Sequence, residues 1–222
     1  DSALTSVKLG RDSEFQAVMP VRGKTLNCQD SSYEKIFKSE VILNLLRVIG
    51  CGVEIKTKSK EMVPFDLGAL RWNKIIICTD ADKDGYHIRT LLLTLFRRLL
   101  PTLLREKKVF IAESPLYEIV CKDKSYFAYD EAEKAQILRQ LEGQKYKVSR
   151  SKGLGENEPE MMRQTTMNPA TRRLISVTPA DEAETDRIFE TLLGDDIAAR
   201  KAFITEYGPQ YMSEIDRSGD DA

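Results

Sequence analysis

The sequence has few of the residues from which most zinc, redox and disulfide sites are built. It contains one histidine and four cysteines in 222 residues, and Cys28, Cys51, Cys78 and Cys121 form no C-x-x-C pair. None of these cysteines has a histidine beside it. The spacing therefore indicates neither a zinc site nor a disulfide framework. Scattered thiols fit a reducing compartment, so we expect a cytoplasmic protein.

Long apolar runs are also lacking. No apolar stretch approaches the ~20 residues that a membrane-spanning helix needs, and the N-terminus does not have the form of a signal peptide. We therefore expect no membrane partner. The net charge of −1 gives no global indication of nucleic-acid binding. A hydrophobic content of 41% is enough to bury the core of one domain or of two small ones.

One thing the sequence does have is a concentration of acid directly behind an apolar run. The stretch IIICTDADKDGYHIR, residues 75–89, places Asp80, Asp82 and Asp84 within five residues. Two unit charges ~4 Å apart repel by roughly 1 kcal/mol in water and by about 4 kcal/mol at the effective dielectric of a protein surface. Crowding of this kind is costly without a counterion, so we expect a bound cation.

Three other interpretations of this acidic loop fit it to different degrees. An EF-hand needs a glutamate at its twelfth position and helical flanks, but the twelfth residue from Asp80 is Leu91 and the preceding run is strand-like. A haloacid dehalogenase phosphatase also carries D-x-D at a strand end, and it stays a rival although that family favours Thr or Val where Asp84 stands. A loop whose acids face water and cap the next helix also stays open.

The apolar pattern around this loop predicts alternating strands and helices. A helix is expected from Ser39 to Gly50, a strand at 74–79, a helix at 91–104 interrupted near Pro101, and a strand at 109–112. Strand, helix and strand form a right-handed crossover by default. The three aspartates then lie at the carboxyl end of a parallel strand, where open α/β sheets bind ligands.

The second half of the chain has a different pattern of predicted elements. The segments Tyr117–Val120 and Tyr126–Tyr129 predict a hairpin. Asp130 is expected to cap a helix, with Glu133 as its capping-box partner and Gly143 as its stop. From 156 to 207 the pattern predicts a wholly helical region.

Four stretches carry a resemblance to a known family. The chain resembles the C-terminal half of the B subunits of bacterial type IIA DNA topoisomerases, DNA gyrase and topoisomerase IV. The resemblance covers nearly the whole chain, in the family's order, and rests on MPVRGKTLN at 19–27, TDADKDGYHIRTLLL at 79–93, SKGLGENEPEMMRQTTMNP at 151–169 and RKAFITEYG at 200–208.

The resemblance implies an α/β fold with a TOPRIM domain, a Rossmann-like parallel sheet flanked by helices. A small hairpin and a mostly helical tail region are expected to follow it. The implied division is a TOPRIM domain at 1–120 and the hairpin plus tail at 121–222. In the family a glutamate in an E-G-D-S-A motif completes the acidic site; here the sequence opens with Asp-Ser-Ala, so this glutamate is expected just upstream.

The resemblance also implies a mechanism and partners. Asp80, Asp82 and Asp84 would hold Mg²⁺, with Mn²⁺ or Ca²⁺ able to substitute, for the cleavage and religation of double-stranded DNA. The nucleophilic tyrosine would come from the topoisomerase A subunit, in an A2B2 heterotetramer of an ATP-dependent enzyme that changes DNA topology by double-strand passage. This fragment alone would be inactive, and gyrase inhibitors would bind at the cleavage site of the assembly.

Further residues are candidates for contact with DNA. The segment Arg22-Gly23-Lys24-Thr25 imitates the end of a Walker A loop, but the first glycine of that motif would fall on Val18, so it is not a P-loop. The resemblance implies phosphate contacts for Arg22 and Lys24, against the alternative of a basic turn.

Similar alternatives apply to the remaining candidates. Lys152 precedes a Gly-Leu-Gly loop and is a phosphate-contact candidate, against a plain permissive loop. His87 and Arg89 are candidates for a DNA or transition-state role, against ordinary helix-start residues. An isolated metal-dependent phosphohydrolase and a plain DNA-binding module remain as alternative functions.

Overall fold

The structure, a computed structural model, describes residues 2–56, 63–151 and 153–212. This part of the chain is a mixed α/β fold, as predicted, with no helix that is long and apolar enough to cross a membrane. Its helices are α1 (Ser2–Gly10), α2 (Tyr33–Ile36), α3 (Glu40–Ile49), α4 (Lys83–Leu99), α5 (Pro101–Arg105), α6 (Glu131–Gln140), α7 (Pro159–Met162), α8 (Glu182–Leu193) and α9 (Ile197–Tyr207). Its strands are β1 (Ile75–Ile77), β2 (Val109–Ala112), β3 (Tyr117–Cys121), β4 (Lys124–Ala128), β5 (Lys147–Arg150) and β6 (Leu174–Ser176).

The described residues divide into two compact units. The first comprises those of 1–20, 78–85 and 111–175, and the second those of 21–77, 86–110 and 176–222. The acidic loop therefore belongs to the first unit. The boundary passes through several elements, among them α4, β2 and β6.

The core of the second unit is built by the helices that the apolar spacing predicted. In α3 the residues Ile42, Leu46 and Ile49 are buried, and Gly50 ends the helix in a left-handed conformation, as expected. Ser39 is the N-cap residue, although its side chain makes no capping hydrogen bond. These side chains pack in one cluster with apolar residues of α4, α5, β1 and β2. The predicted interruption near Pro101 is confirmed, because α4 ends at Leu99 and α5 begins at Pro101.

A three-stranded sheet has the order β1-β2-β6. The strand predicted at 74–79 is present but shorter, and the strand at 109–112 is confirmed. Two helices, α4 and α5, connect β1 to β2, as in the expected crossover. Strand β6 was not predicted. The N–H of Glu113 bonds to the carbonyl of Arg173, and that of Val177 to the carbonyl of Val109, a register that makes β6 antiparallel to β2.

In the first unit, a second sheet has the order β4-β3-β5, with antiparallel pairs. The predicted hairpin is confirmed as β3 and β4. Helix α6 packs on the sheet through Ile137 and Leu138 and is capped by Asp130, whose Oδ1 accepts the N–H of Glu133 at 2.7 Å. Glu133 in turn accepts the N–H of Tyr129, one residue before the position that a capping box uses.

The prediction of a wholly helical region at 156–207 is wrong. Helix α7 does begin at Pro159, but the chain continues as a π-helical turn at Arg163–Met167 and then leaves the helix at Asn168, whose ψ of 119° is extended. The physical reason is Pro169, because a proline disfavours helical backbone in the residue before it. Strand β6 follows before α8 begins.

Candidate metal centre

The three aspartates of the acidic loop differ in their environment. Asp80 and Asp82 are half-buried, whereas Asp84 is exposed in the first turn of α4. Asp82 immediately precedes α4 and has the geometry of an N-cap, because its Oδ1 accepts the N–H of Gly85 at 2.7 Å. The capping interpretation therefore describes Asp82 well, and it does not describe Asp80.

Asp80 is held by a loop that lies far along the sequence. Its Oδ1 accepts the backbone N–H of Leu154 at 2.7 Å. A Cβ atom added to Gly153 would lie 3.3 Å from both Cγ and Oδ1 of Asp80. The Gly-Leu-Gly loop can approach the carboxylate this closely because Gly153 has no side chain.

A second glycine fits against the backbone of Asp80. A Cβ atom at Gly85 would overlap the carbonyl oxygen of Asp80, so the turn between the strand end and α4 requires glycine here. Asp80 is thus bordered by glycine at its backbone and at its carboxylate. Sequence reasoning gave neither glycine this role, although both stand within the family-like motifs.

The carboxylates fit the donor chemistry of magnesium. Mg²⁺ is bound through one or two carboxylates together with waters and phosphate oxygens. Within the described ranges, no three His, Cys, Asp or Glu side chains converge into a metal-binding group. Asp80, Asp82 and Asp84 supply carboxylate oxygens, the donor type that Mg²⁺ prefers.

The other candidates for the reaction lie on α4, in the second unit. His87 is exposed and Arg89 is half-buried. The guanidinium carbon of Arg89 lies 5.2 Å from the ring centroid of Tyr86, within the range of a cation–π contact.

The candidate DNA contacts are only partly described. Arg22 and Gly23 both have positive φ angles, of 53° and 90°, so the backbone turns sharply and the exposed side chains of Arg22 and Lys24 flank this turn. Lys152 lies outside the described residues.

Comparison with known families assigns most of the chain. The family model described as Toprim domain matches residues 1–114, and the model described as DNA gyrase B subunit, carboxyl terminus, matches residues 143–205. Toprim domains as a class bind a divalent metal ion.

Individual relatives agree with these matches. The chain is 44% identical over 216 residues to the DNA gyrase B subunit of Thermotoga maritima, covering 97% of this chain and 32% of the relative. It is 44% identical over 207 residues to the DNA gyrase B subunit of Thermus thermophilus, covering 93% and 32%. It is 43% identical over 206 residues to the DNA topoisomerase 4 B subunit of Mycoplasma capricolum, covering 93% and 31%.

Proposed function

Because this chain belongs to the Toprim family, in the group that contains the B subunits of DNA gyrase and topoisomerase IV, we propose that it is the metal-binding DNA cleavage and religation module of such a protein. The observation that supports this most directly is Asp80, a half-buried carboxylate anchored by the Leu154 N–H and bordered by two glycines. An aspartate of a solvent-facing capping loop would not need this hydrogen bond from a distant loop.

The chain spans about a third of the length of the relatives that it matches, 32% for the first. The activity of the whole enzyme is therefore part of the proposal: ATP-dependent double-strand passage by an A2B2 heterotetramer in the cytoplasm, with inhibitors binding at the cleavage site. We also propose that the TOPRIM domain corresponds to residues 1–120 and the hairpin plus tail to 121–222.

The acidic loop would hold Mg²⁺, or Mn²⁺ or Ca²⁺ in its place, through Asp80, Asp82 and Asp84. When bound, the metal supplies charge stabilisation at the attacking and leaving oxygens of the phosphodiester. The role of the chain is to keep these carboxylates in place beside the DNA. The Leu154 N–H fixes the orientation of Asp80, and the cap at Gly85 fixes that of Asp82.

The basic candidates would act on the nucleic acid. Arg22, Lys24 and Lys152 would contact phosphates, which positions the duplex without reading its sequence. His87 and Arg89 would stabilise charge near the scissile phosphate. The attacking hydroxyl would come from a tyrosine of the A subunit, so no tyrosine of this chain is assigned that role.

The test uses the full-length B subunit assembled with its A subunit on supercoiled DNA. In Asp80→Asn the amide oxygen still accepts the Leu154 N–H, so the fold should be kept while a ligand charge is lost. We expect magnesium-dependent cleavage to fall at least about tenfold, with little change in the metal-free melting temperature. The matched control is Asp181→Asn, which alters the N-cap of α8 and should leave cleavage unchanged.

Three results would contradict the proposal. Retained cleavage in Asp80→Asn would remove this carboxylate from the metal site. Turnover of a simple phosphate ester by this chain without the A subunit, or a covalent DNA adduct mapped to one of its own tyrosines, would favour an independent phosphohydrolase or a different division of roles.

A further inference from the structure

A small polar cavity lies beside Asp80 in the first unit. Its volume, counted as the space open to the centre of a water-sized sphere, is about 10 Å³. This is close to the volume that one water molecule needs. The lining includes side chains from three separate stretches of the chain: Asp80 from the acidic loop, Ser114 from the segment after β2, and Ser151 and Asn157 from either side of the Gly-Leu-Gly loop.

One of the lining groups is a buried hydroxyl without a partner. Within the described residues, Ser114 Oγ is inaccessible to solvent and makes no hydrogen bond. A buried polar group left unsatisfied is destabilising, and in native proteins such groups are commonly satisfied by an internal water.

The other lining groups offer further hydrogen-bonding capacity. Ser151 Oγ donates to Asn157 Oδ1 at 2.6 Å, which leaves its own lone pairs available as acceptors. Asn157 is only 6% exposed, and its amide Nδ2 donates to Met162 Sδ, a weak acceptor, at 3.6 Å. Asp80 uses its Oδ1 for the Leu154 N–H and has a second carboxylate oxygen.

We propose that one internal water occupies this cavity, accepts a hydrogen bond from Ser114 Oγ and donates one to the carboxylate of Asp80. Ser114 is then a positioning residue that acts on Asp80 through this water. Internal waters typically make two to four hydrogen bonds, and the hydroxyl, carboxylate and amide groups around the cavity supply that number.

The water has a consequence for the metal site, and this part rests on the proposed function. The Leu154 N–H restrains Asp80 through one oxygen of the carboxylate, Oδ1. A second donor restrains rotation of the carboxylate, so the oxygen that faces the metal keeps its position. Groups that orient a metal ligand in this way typically change metal affinity or activity by about 10- to 100-fold when they are removed.

The decisive variant is Ser114→Ala, because the two possibilities predict opposite signs. If the water is present, the substitution removes one of its partners, and the metal-free melting temperature of this chain should fall. If the hydroxyl is unsatisfied in a dry cavity, its removal should raise the melting temperature. Ser125→Ala is the matched control, since it removes an exposed hydroxyl that donates to Glu118 in the same unit, and it should cause little change.

Two further measurements complete the test. A high-resolution crystal structure should contain a water within hydrogen-bond distance of Ser114 Oγ and Asp80, and an empty cavity or an unchanged or raised melting temperature overturns the inference.

In the complete complex, Ser114→Ala should raise the Mg²⁺ concentration for half-maximal cleavage about tenfold. A lowered melting temperature with an unchanged Mg²⁺ requirement overturns the positioning role. Absence of cleavage in the wild type would contradict the proposed function and leave the water to the crystallographic and melting results.

Discussion

At the scale of single residues, the position of Asp80 depends on a glycine that donates nothing to it. The backbone of Gly153 lies against the carboxylate, and a Cβ atom there would come within 3.3 Å of Cγ and Oδ1. This is closer than an ordinary van der Waals contact, so an alanine would displace either the carboxylate or the loop. The neighbouring Leu154 N–H bond to Asp80 would then be stretched.

We therefore expect Gly153→Ala to weaken the metal site more than the fold. Magnesium titration of DNA cleavage in the complete complex should show a requirement about tenfold higher, while overpacking should cost about 1–3 kcal/mol of unfolding free energy. Gly208→Ala is the control, because its Cβ would lie 3.6 Å from Ile204 Cγ2 in ordinary contact. An unchanged magnesium requirement in Gly153→Ala would mean that the loop does not position Asp80.

A second residue-scale prediction concerns Cys28, whose thiol is fully buried in the core of the second unit. Burial raises the pKa of this thiol to about 11, and the nearby Arg98 guanidinium only partly opposes the effect. The unfolded chain releases the proton near pH 9 and the folded chain does so near 11. The stabilising contribution is thus complete below pH 9 and is lost as the pH rises towards 11.

The expected loss follows from the size of the shift. At ~1.4 kcal/mol per pKa unit, the unfolding free energy of the wild type should fall by about 2–3 kcal/mol more than that of Cys28→Ala between these pH values. Denaturant unfolding at a series of pH values measures this difference. Ile49→Val, which trims a buried side chain without a titratable group in the same core, should keep the wild-type slope. Parallel curves for wild type and Cys28→Ala would contradict the prediction.

At the scale of elements, apolar periodicity predicted those helices and strands in which the spacing of apolar residues places them on one buried face. Helices α3 and α4 have this character, and in the apolar run of β1 Ile77 is buried while Ile75 and Ile76 are half-buried. Strand β5 has the sequence Lys-Val-Ser-Arg and was missed, because an exposed edge strand is defined by its partner β3 and carries no apolar alternation. Strand β6 was missed although Asn168-Pro169 gives a local signal that the helix ends there.

Helix α8 belongs to the second unit and contacts the rest of that unit largely through polar side chains. None of its residues is fully buried. Arg97 of α4 makes several of these contacts: its Nε donates to Asp186 Oδ1 at 3.0 Å, and its guanidinium carbon lies 5.0 Å from the ring centroid of Phe189. Gln29 links the same groups, since it accepts from Arg97 and donates to Glu190.

Loss of Arg97 should therefore loosen α8 without unfolding the core. An exposed ion pair contributes about 0.2–1 kcal/mol and a cation–π contact about 0.5–1 kcal/mol. For Arg97→Ala we expect amide hydrogen exchange in residues 182–193 to accelerate about 5- to 30-fold, with α3 unchanged. Arg187→Ala, which removes the exposed ion pair with Glu184 within α8, should have a much smaller effect. Equal acceleration in α3 would indicate global destabilisation instead.

For the molecule as a whole, the sequence predicted the identity of the acidic loop and not the way in which it is held. The alternating aspartates behind an apolar run can be recognised in the sequence, and the repulsion between their charges follows from their spacing. The hydrogen bond between Leu154 and Asp80 joins residues 74 positions apart. Because its donor is a backbone N–H, no pattern of side chains predicts it. The orphaned hydroxyl of Ser114 is equally invisible, because it depends on the cavity that three distant segments form.

The final prediction concerns DNA binding by the assembled enzyme. Each Lys or Arg that neutralises a phosphate releases condensed counterions, so the slope of log affinity against log salt concentration changes by about 0.9 per contact. If Arg22 and Lys24 contact phosphates, each alanine variant should make this slope less steep by about that amount, and the double variant by roughly twice as much. The weakening should be the same for unrelated sequences, because phosphate contacts carry no sequence information.

The measurement is a salt titration of duplex binding by the complete complex, between about 50 and 200 mM, the range over which several phosphate contacts change affinity strongly. Lys35→Ala is the matched control, because Lys35 is an exposed cation of the same unit on α2 and was not predicted to contact DNA. Its slope should equal that of the wild type. A lowered affinity with an unchanged slope would indicate that the turn at Arg22 and Gly23 acts through local structure, and unchanged affinity and slope in both variants would place it outside the DNA interface.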